Sequence, residues 1–291
     1  MVSLPSSGQL APLLVGYNQA VTAKRRHLLL GLVLVAIALV VSAIGAEVQP
    51  GTLWDKIGNF TSYFDRLLKL DTGMRVWTDP QEWFWGLARW SRLLAETLLI
   101  AYIATFTGAV AAFVAAAPAS RNLMRLATVR FAVRRSLEFC RSVPDIVFAL
   151  IFVAAFGLGA LPGVLAVAIH TSGALGKLFT EVVENIDMRP VEGVAATGGD
   201  WLSQIRFAVT PQVLSNLVSY TLLRFEINVR GATVIGFVGA GGIGQDLIVA
   251  IRKFYYSDVS AMLLMIIATV MAIDLLSAHL RHRLLAMEHG R

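Results

Sequence analysis

Arg224, Glu226, Asn228 and Arg230 form a dense polar group between the apolar run that opens near Val209 and the glycine-rich apolar run from Gly231 to Ile251. On a helix, Glu226 and Arg230 share a face four residues apart, as do Arg224 and Asn228, so each couple can pair. An ionisable side chain at the centre of a membrane helix costs about 2.5–3.5 kcal/mol on insertion scales unless it is paired or faces water. Two chemistries fit: arginines that attract an anion in transit, or an ion pair that ties this helix to its neighbours. The residues favour neither. Asp274 and Glu96 pose the same choice, with structural pairing the stronger reading. His170, with Thr171 and Ser172 beside it in another apolar run, reads as hydrogen-bonded structure rather than as a ligand.

Enzymatic patterns fail on spacing. The chain has no His-Glu-x-x-His, no Gly-x-Ser-x-Gly and no Gly-x4-Gly-Lys-Ser/Thr, so it brings no catalytic residues, no metal site and no ATPase site of its own. Gly239-Ala-Gly241-Gly242-Ile-Gly244 matches the dinucleotide pattern, but that pattern has meaning only between a strand and a helix of a βαβ unit. In an apolar segment these glycines instead allow close helix packing or a bent backbone lining a passage. Cys140 is the single cysteine, which excludes an intrachain disulfide and a cysteine zinc site and reads as an ordinary buried thiol.

The segment from Glu192 to Pro211 carries a different signal. Gly198-Gly199 separates two short helical pieces, and Pro211 suits the first turn of the helix that follows. Val194, Leu202, Ile205 and Phe207 give the segment apolar surface that a solvated loop does not need. That surface is expected to dock a partner.

The elements that position these groups are membrane spans. Of the 291 residues 56% are hydrophobic and 15% charged, against about 25% charged in soluble domains, and the apolar residues run in blocks near the roughly 20 that cross a bilayer. The net charge of +6 is not a nucleic-acid signature, because the Arg and Lys residues collect beside apolar blocks as in cytoplasmic loops and no basic stripe interleaved with aromatics appears. Lys24, Arg25 and Arg26 precede the first span, 28–46, which reads as an uncleaved anchor following a cytoplasmic N-terminus, 1–27. Residues 47–92 mix six acidic and six basic residues with Trp54, Trp77, Trp83, Trp85 and Trp90, as expected of an extracytoplasmic interfacial loop with a partly amphipathic helix. The core, 93–280, begins with a span that Pro118 ends near Ala117. A cytoplasmic connection follows with Arg121, Arg125, Arg130, Arg134, Arg135 and Arg141 against Glu138 alone. A third span, 143–156, interrupted at Pro144-Asp145, starts among those arginines. Further spans occupy 161–178, 209–222 running on through the polar cluster, and 261–280, with the cytoplasmic segment 181–211 between them and a cytoplasmic tail, 281–291. Six crossings make one all-α unit with both termini inside. No internal repeat is evident.

Glu192, Gly198 and Pro211 stand at the spacing of the EAA loop of bacterial ABC-importer permeases, which the segment resembles, although Gly193 and Val194 replace its two alanines and Ala208 and Thr210 its usual Ile and Leu. Arg141-Ser-Val-Pro-Asp145, His170-Thr-Ser-Gly-Ala-Leu-Gly-Lys-Leu-Phe179, Arg224-Phe-Glu-Ile-Asn-Val-Arg230 and Gly239-Ala-Gly-Gly-Ile-Gly-Gln245 look, in this order, like the phosphonate-importer permease branch. The likeness covers roughly residues 90–280. It implies a type I importer permease (MetI-like) fold in the bacterial inner membrane, a homodimer, two copies of a separate ATPase that bind ATP and Mg, and a periplasmic or lipid-anchored substrate-binding protein. Glu192, Ala195, Ala196, Gly198 and Pro211 would then couple to the ATPase, Glu192 by capping or ion pairing, Gly198 by setting a bend, Pro211 by passing motion to the fifth span. The cargo expected is phosphonate or phosphite. A methionine or other small-solute permease is the closest alternative, and a secondary carrier without an ATPase the next.

Overall fold

A computed structural model describes residues 7–289; the extreme ends of the expected cytoplasmic termini, 1–6 and 290–291, lie outside the described residues. The chain divides into two compact units, Met1–Phe64 and Asp65–Arg291. The first holds α1 (Ser7–Gly45), α2 (Pro50–Asp55) and most of α3 (Ile57–Leu67). Within the α1 stretch Ala20–Gly45 the residues after His27 are apolar on all faces, and none of its most apolar 18-residue window is buried, the pattern of a membrane span.

The second unit continues with α4 (Pro80–Trp83), α5 (Leu87–Ala119), α6 (Ala127–Ser142), α7 (Asp145–Phe156), α8 (Ala160–Glu184), α9 (Arg189–Ala196), α10 (Trp201–Gln204), α11 (Thr210–Ile235), α12 (Ile243–Arg252) and α13 (Tyr256–His289). Among the described residues four helices are long and apolar enough to cross a membrane, and six crossings result if the bent pairs α6–α7 and α11–α12 each count as one.

The helix bounds differ from the expected ones for identifiable reasons. α5 begins at Leu87 and passes Pro118 to end at Ala119, because a proline in the last turn removes one hydrogen bond without stopping the turn that follows it. Trp90, expected at the membrane boundary, is instead on α5 and buried, packed with Leu94, Leu247 and Met262. Trp83 Nε1 donates to Ser260 Oγ at 3.0 Å and Trp85 Nε1 to Asp258 Oδ1 at 2.9 Å, so two more tryptophans anchor this region onto the start of α13. α6 and α7 meet at 86°. The cause is Pro144, which holds Val143 in an extended conformation (φ −79°, ψ 124°) as residues before proline prefer. At 12 residues, α7 is about 18 Å long and cannot cross about 30 Å of hydrocarbon by itself.

α5 and α8 form the spine of the unit. Their contact is lined by small residues, among them Ala104, Gly108, Ala112 and Ala166, which let the backbones approach closely. A Cβ on Gly108 would stand 2.8 Å from Thr171 Cβ, and one on Gly173 2.5 Å from the Arg141 amide nitrogen. Any larger side chain at either position would force the helices apart.

Candidate functional site

The segment 189–211 forms a defined elbow at one end of the bundle. α9 ends in a Schellman turn: Gly198 N–H donates to Ala195 O and Gly199 N–H to Val194 O, both at 3.0 Å. Gly198 sits at φ +84°, a left-handed conformation that glycine adopts without a Cβ penalty. The next residue but one starts α10: Asp200 Oδ1 accepts the Ser203 N–H at 2.9 Å, an N-cap. The Ser203 hydroxyl and amide hold the Asp200 carboxyl below the usual aspartate range. α10 then runs without a break through one π turn, Ile205–Val209, into α11. Pro211 lies in the first turn of α11, where its missing N–H costs little.

The elbow's apolar residues divide between two sides. Val191, Ala208 and Val209 are buried, with Val194 and Ile205 packed against them, in a cluster with Phe179, Val183, Val213 and Leu217. Leu202 and Phe207 are 64% and 63% exposed and Trp201 41%. Only the second set is available to a partner; Val194 and Ile205, expected to share that surface, serve the core instead. Ala195, Ala196 and Gly198 are exposed. Glu192 lies in the first turn of α9, where its charge favours the helix N-terminus. It is exposed, and among the described residues its carboxylate makes neither the cap nor the ion pair expected of it. It borders a cleft of about 570 Å³ together with Arg125, Ala195 and Trp201. Elsewhere at this end of the bundle an ion pair joins Arg134 of α6 to Glu184 of α8; Arg134 Nε also donates to Ala119 O at 2.7 Å, and Glu184 Oε1 accepts the Arg121 N–H at 2.7 Å.

The polar cluster of α11 separates into two groups on different faces. Arg230 pairs with Glu226 at 2.6 Å and with Asp274 of α13 at 3.1 Å, and Arg281 reaches Glu226 at 3.6 Å. This network fastens α11 to α13. Arg224 and Asn228, which share a face, do not pair. Asn228 is buried and its amide donates to Thr105 Oγ1 on α5 at 2.8 Å and Thr171 Oγ1 on α8 at 2.9 Å. Arg224 turns to α8, with one terminal nitrogen 2.6 Å from His170 Nδ1 and Nε 3.4 Å from Thr171 Oγ1.

Gly239, Gly241 and Gly242 all have positive φ and make a tight turn between α11 and α12. A Cβ on Gly241 would lie 3.0 Å from Ala160 Cα. Gly244 faces the Thr233 carbonyl with no room for a side chain. The amides that this turn exposes are taken by α5: Glu96 Oε1 accepts Gly242 N–H at 3.3 Å and Thr97 Oγ1 accepts Ile243 N–H at 2.9 Å. Glu96 thus serves the N-terminus of α12, and the glycines are a packing device. Sequence reasoning does not single out Thr97 or Thr105. Each is one threonine in a helix of mixed small residues, and only the arrival of a distant segment gives it a partner.

The profile of the family described as "Binding-protein-dependent transport system inner membrane component" matches residues 104–285. The chain belongs to this family. It is a permease subunit of an ABC importer, as its resemblance to that class implied. Phosphate-import permease protein PhnE of Mycolicibacterium smegmatis is 37% identical over 250 residues, 85% of this chain and 44% of the relative, so the permease spans less than half the length of that protein. Phosphite transport system permease protein PtxC of Stutzerimonas stutzeri is 41% identical over 198 residues, 68% of this chain and 72% of the relative. Putative cryptic phosphonate transport system permease protein PhnE2 of Escherichia coli K12 is 53% identical over 117 residues, 40% of this chain and 96% of the relative. A chain of the MetNI methionine ABC transporter in an inward-facing conformation superposes with a TM-score of 0.58 at 18% identity, over 71% of this permease and 98% of that chain. That likeness establishes the shared MetI-like fold.

Proposed function

We propose that this permease carries a phosphonate, or a related phosphorus oxyanion such as phosphite, inward across the bacterial cytoplasmic membrane. It works as a homodimer with two copies of a separate ATPase, which bind ATP and Mg, and with a substrate-binding protein on the outer side. The observation that carries the mechanistic half of this reading is the elbow at Glu192–Pro211: a partner-facing surface of Ala195, Ala196, Leu202 and Phe207 continuous with α11. ATPase closure pushes this surface, Gly198 keeps its angle, and Pro211 starts the helix that carries the motion inward. Glu192, without an ion pair among the described residues, is available to a basic group of the ATPase.

The cargo half rests on the relatives, whose names speak of phosphate, phosphite and phosphonate. The methionine transporter supports the fold alone. The arginines of α6 support a cytoplasmic position for that end of the bundle under the positive-inside rule. Residues 1–27 and 281–291 then lie inside, 47–92 outside, and 93–280 form the permease core. Selectivity comes largely from the binding protein, because a pathway must release what it contacts.

The permease, its ATPase and its binding protein in proteoliposomes should take up phosphite or methylphosphonate only with internal ATP, and Glu192→Lys or Gly198→Val should stop uptake. Uptake of methionine in preference to any phosphorus oxyanion would sink the cargo assignment. Uptake driven by an ion gradient without ATPase would sink the coupling.

A further inference from the structure

The two arginines of α11 differ in one respect that bears on the cargo. Arg230 is compensated by Glu226 and Asp274. Arg224, half-buried, has no carboxylate within ion-pair distance among the described residues. Asp145 is the carboxylate in electrostatic reach, but its Oδ1 accepts the Ile146 N–H at 2.9 Å at the start of α7 and it makes no ion pair with Arg224. A guanidinium has only donors, so the 2.6 Å contact to His170 Nδ1 requires the lone pair there and a neutral ring. Thr171 Oγ1, which faces Arg224 Nε, also takes the buried Asn228 amide. The guanidinium is thus held by two neutral groups, one through Nε and one through a terminal nitrogen, while its other terminal nitrogen has no partner among the described residues.

A cleft of about 420 Å³ lies between α8 and α11, lined by Leu178, Glu181, Gln212, Asn216 and Tyr220 among others. Tyr220 is one helical turn, about 6 Å, from Arg224. The carboxylates on this cleft are themselves engaged, Glu181 with Lys177 and Asp187 with Arg189, each at 3.5 Å.

We propose that Arg224, held by His170 and Thr171, is the residue through which this permease makes charge contact with a tetrahedral phosphorus oxyanion in transit, and that Arg230 serves structure. This deepens the reading of the cargo given above and rests on it. A fixed cation without an ion-paired carboxylate attracts an anion, and an arginine fork matches two oxygens of a phosphorus oxyanion. Two neutral neighbours, with Asp145 in electrostatic reach but making no ion pair, leave that charge only partly compensated. His170 and Thr171 are positioning residues.

The test uses the purified full-length permease and phosphite as the probe, followed by its ³¹P line width at constant ionic strength. Wild type should broaden the line, methylphosphonate should reverse this, and Arg224→Gln should reduce the broadening at least fivefold. Undiminished broadening by Arg224→Gln, or none by wild type, overturns the site. Should the glutamine variant not fold, Arg224→Lys, which keeps the charge and loses the fork, should raise the apparent Kd at least threefold; an unchanged Kd overturns it equally. Uptake separates the two proposals. Broadening lost in the variant while the complete wild-type transporter imports no phosphorus oxyanion refutes the cargo and leaves the site, whereas wild-type uptake of phosphite that Arg224→Gln does not alter refutes the site and leaves the cargo.

Discussion

Gly198 allows a clean separation of backbone conformation from side-chain bulk. It stands at φ +84°, and a Cβ placed on it would have nothing within 4 Å. Substitution therefore meets no clash inside the permease, and the whole cost is that of holding an L-residue left-handed. For alanine that is ~1–2 kcal/mol, a factor of about 5–30 in the population of the closed turn. Asparagine tolerates the conformation and should cost less; valine is β-branched and should cost most. The turn closes through the amides of Gly198 and Gly199, so amide hydrogen exchange of the peptide spanning 194–204 in the isolated permease reads its population directly. Protection at these amides should fall from wild type through Gly198→Asn and Gly198→Ala to Gly198→Val. Uptake by the complete transporter should fall in the same order. If Gly198→Asn and Gly198→Val exchange alike, or if the isolated permease shows no change while uptake collapses, the glycine is there to make room for the ATPase and the backbone argument is wrong.

Three further outcomes follow from the contacts. Arg230→Gln leaves Asp274 unpaired and Glu226 with Arg281 alone, and should cost between the ~1 kcal/mol of an exposed pair and the ~3–5 kcal/mol of a broken buried one, since Arg230 is half exposed; combining it with Glu226→Gln and Asp274→Asn should be milder than Arg230→Gln alone in detergent melting curves. Thr97→Val removes the acceptor of a buried amide and should cost about 1–3 kcal/mol in the same assay, whereas Thr97→Ser should be near wild type. Because its partners lower the Asp200 carboxyl, its cap contributes in full above the ordinary aspartate range and is lost as pH falls through its own lower value. Asp200→Asn, which keeps an acceptor that does not titrate, should abolish the acid-induced rise in proteolysis at 194–204; an identical acid response in both proteins would refute the cap.

The spans and the elbow can be read from sequence because each rests on local chemistry. Long apolar blocks force helices in lipid, and Gly-Gly followed by Asp-x-x-Ser forces a turn and a cap wherever it stands. What cannot be read is which side chains meet across helices. Glu226 and Arg230 share one face, as spacing alone requires, but their third partner, Asp274, is 44 residues away. The same spacing suggests a pairing of Arg224 with Asn228 that does not form, because Thr105 and Thr171 offer the buried amide neutral acceptors and His170 offers Arg224 a nitrogen. Trp90 and Val194 depart from expectation for one reason: an apolar residue beside charged ones looks interfacial until a neighbouring helix covers it.

The continuity of α10 with α11 links the elbow to Arg224. Trp201–Val238 forms one helical run, roughly 57 Å long at about 1.5 Å per residue. Near the elbow it is gripped by α5 and α8 at Ala208, Val209, Val213 and, farthest along, Leu217, all buried. If the run pivots at Leu217, Trp201 lies about 24 Å to one side and Arg224 about 10 Å to the other. A push of about 5 Å on the elbow then moves Arg224 by about 2 Å the opposite way, enough to break a hydrogen-bonded contact with an anion. This requires stiffness between the two points. Leu214 and Val218 lie on the outward face between them, 53% and 37% exposed, so changing both to glycine softens the rod at about 1 kcal/mol each relative to alanine and leaves the core untouched. The glycine pair should keep ATPase activity stimulated by the binding protein while uptake per ATP falls severalfold, and the alanine pair should retain both. Uptake per ATP that is equal in the two variants would mean that motion does not travel along α11.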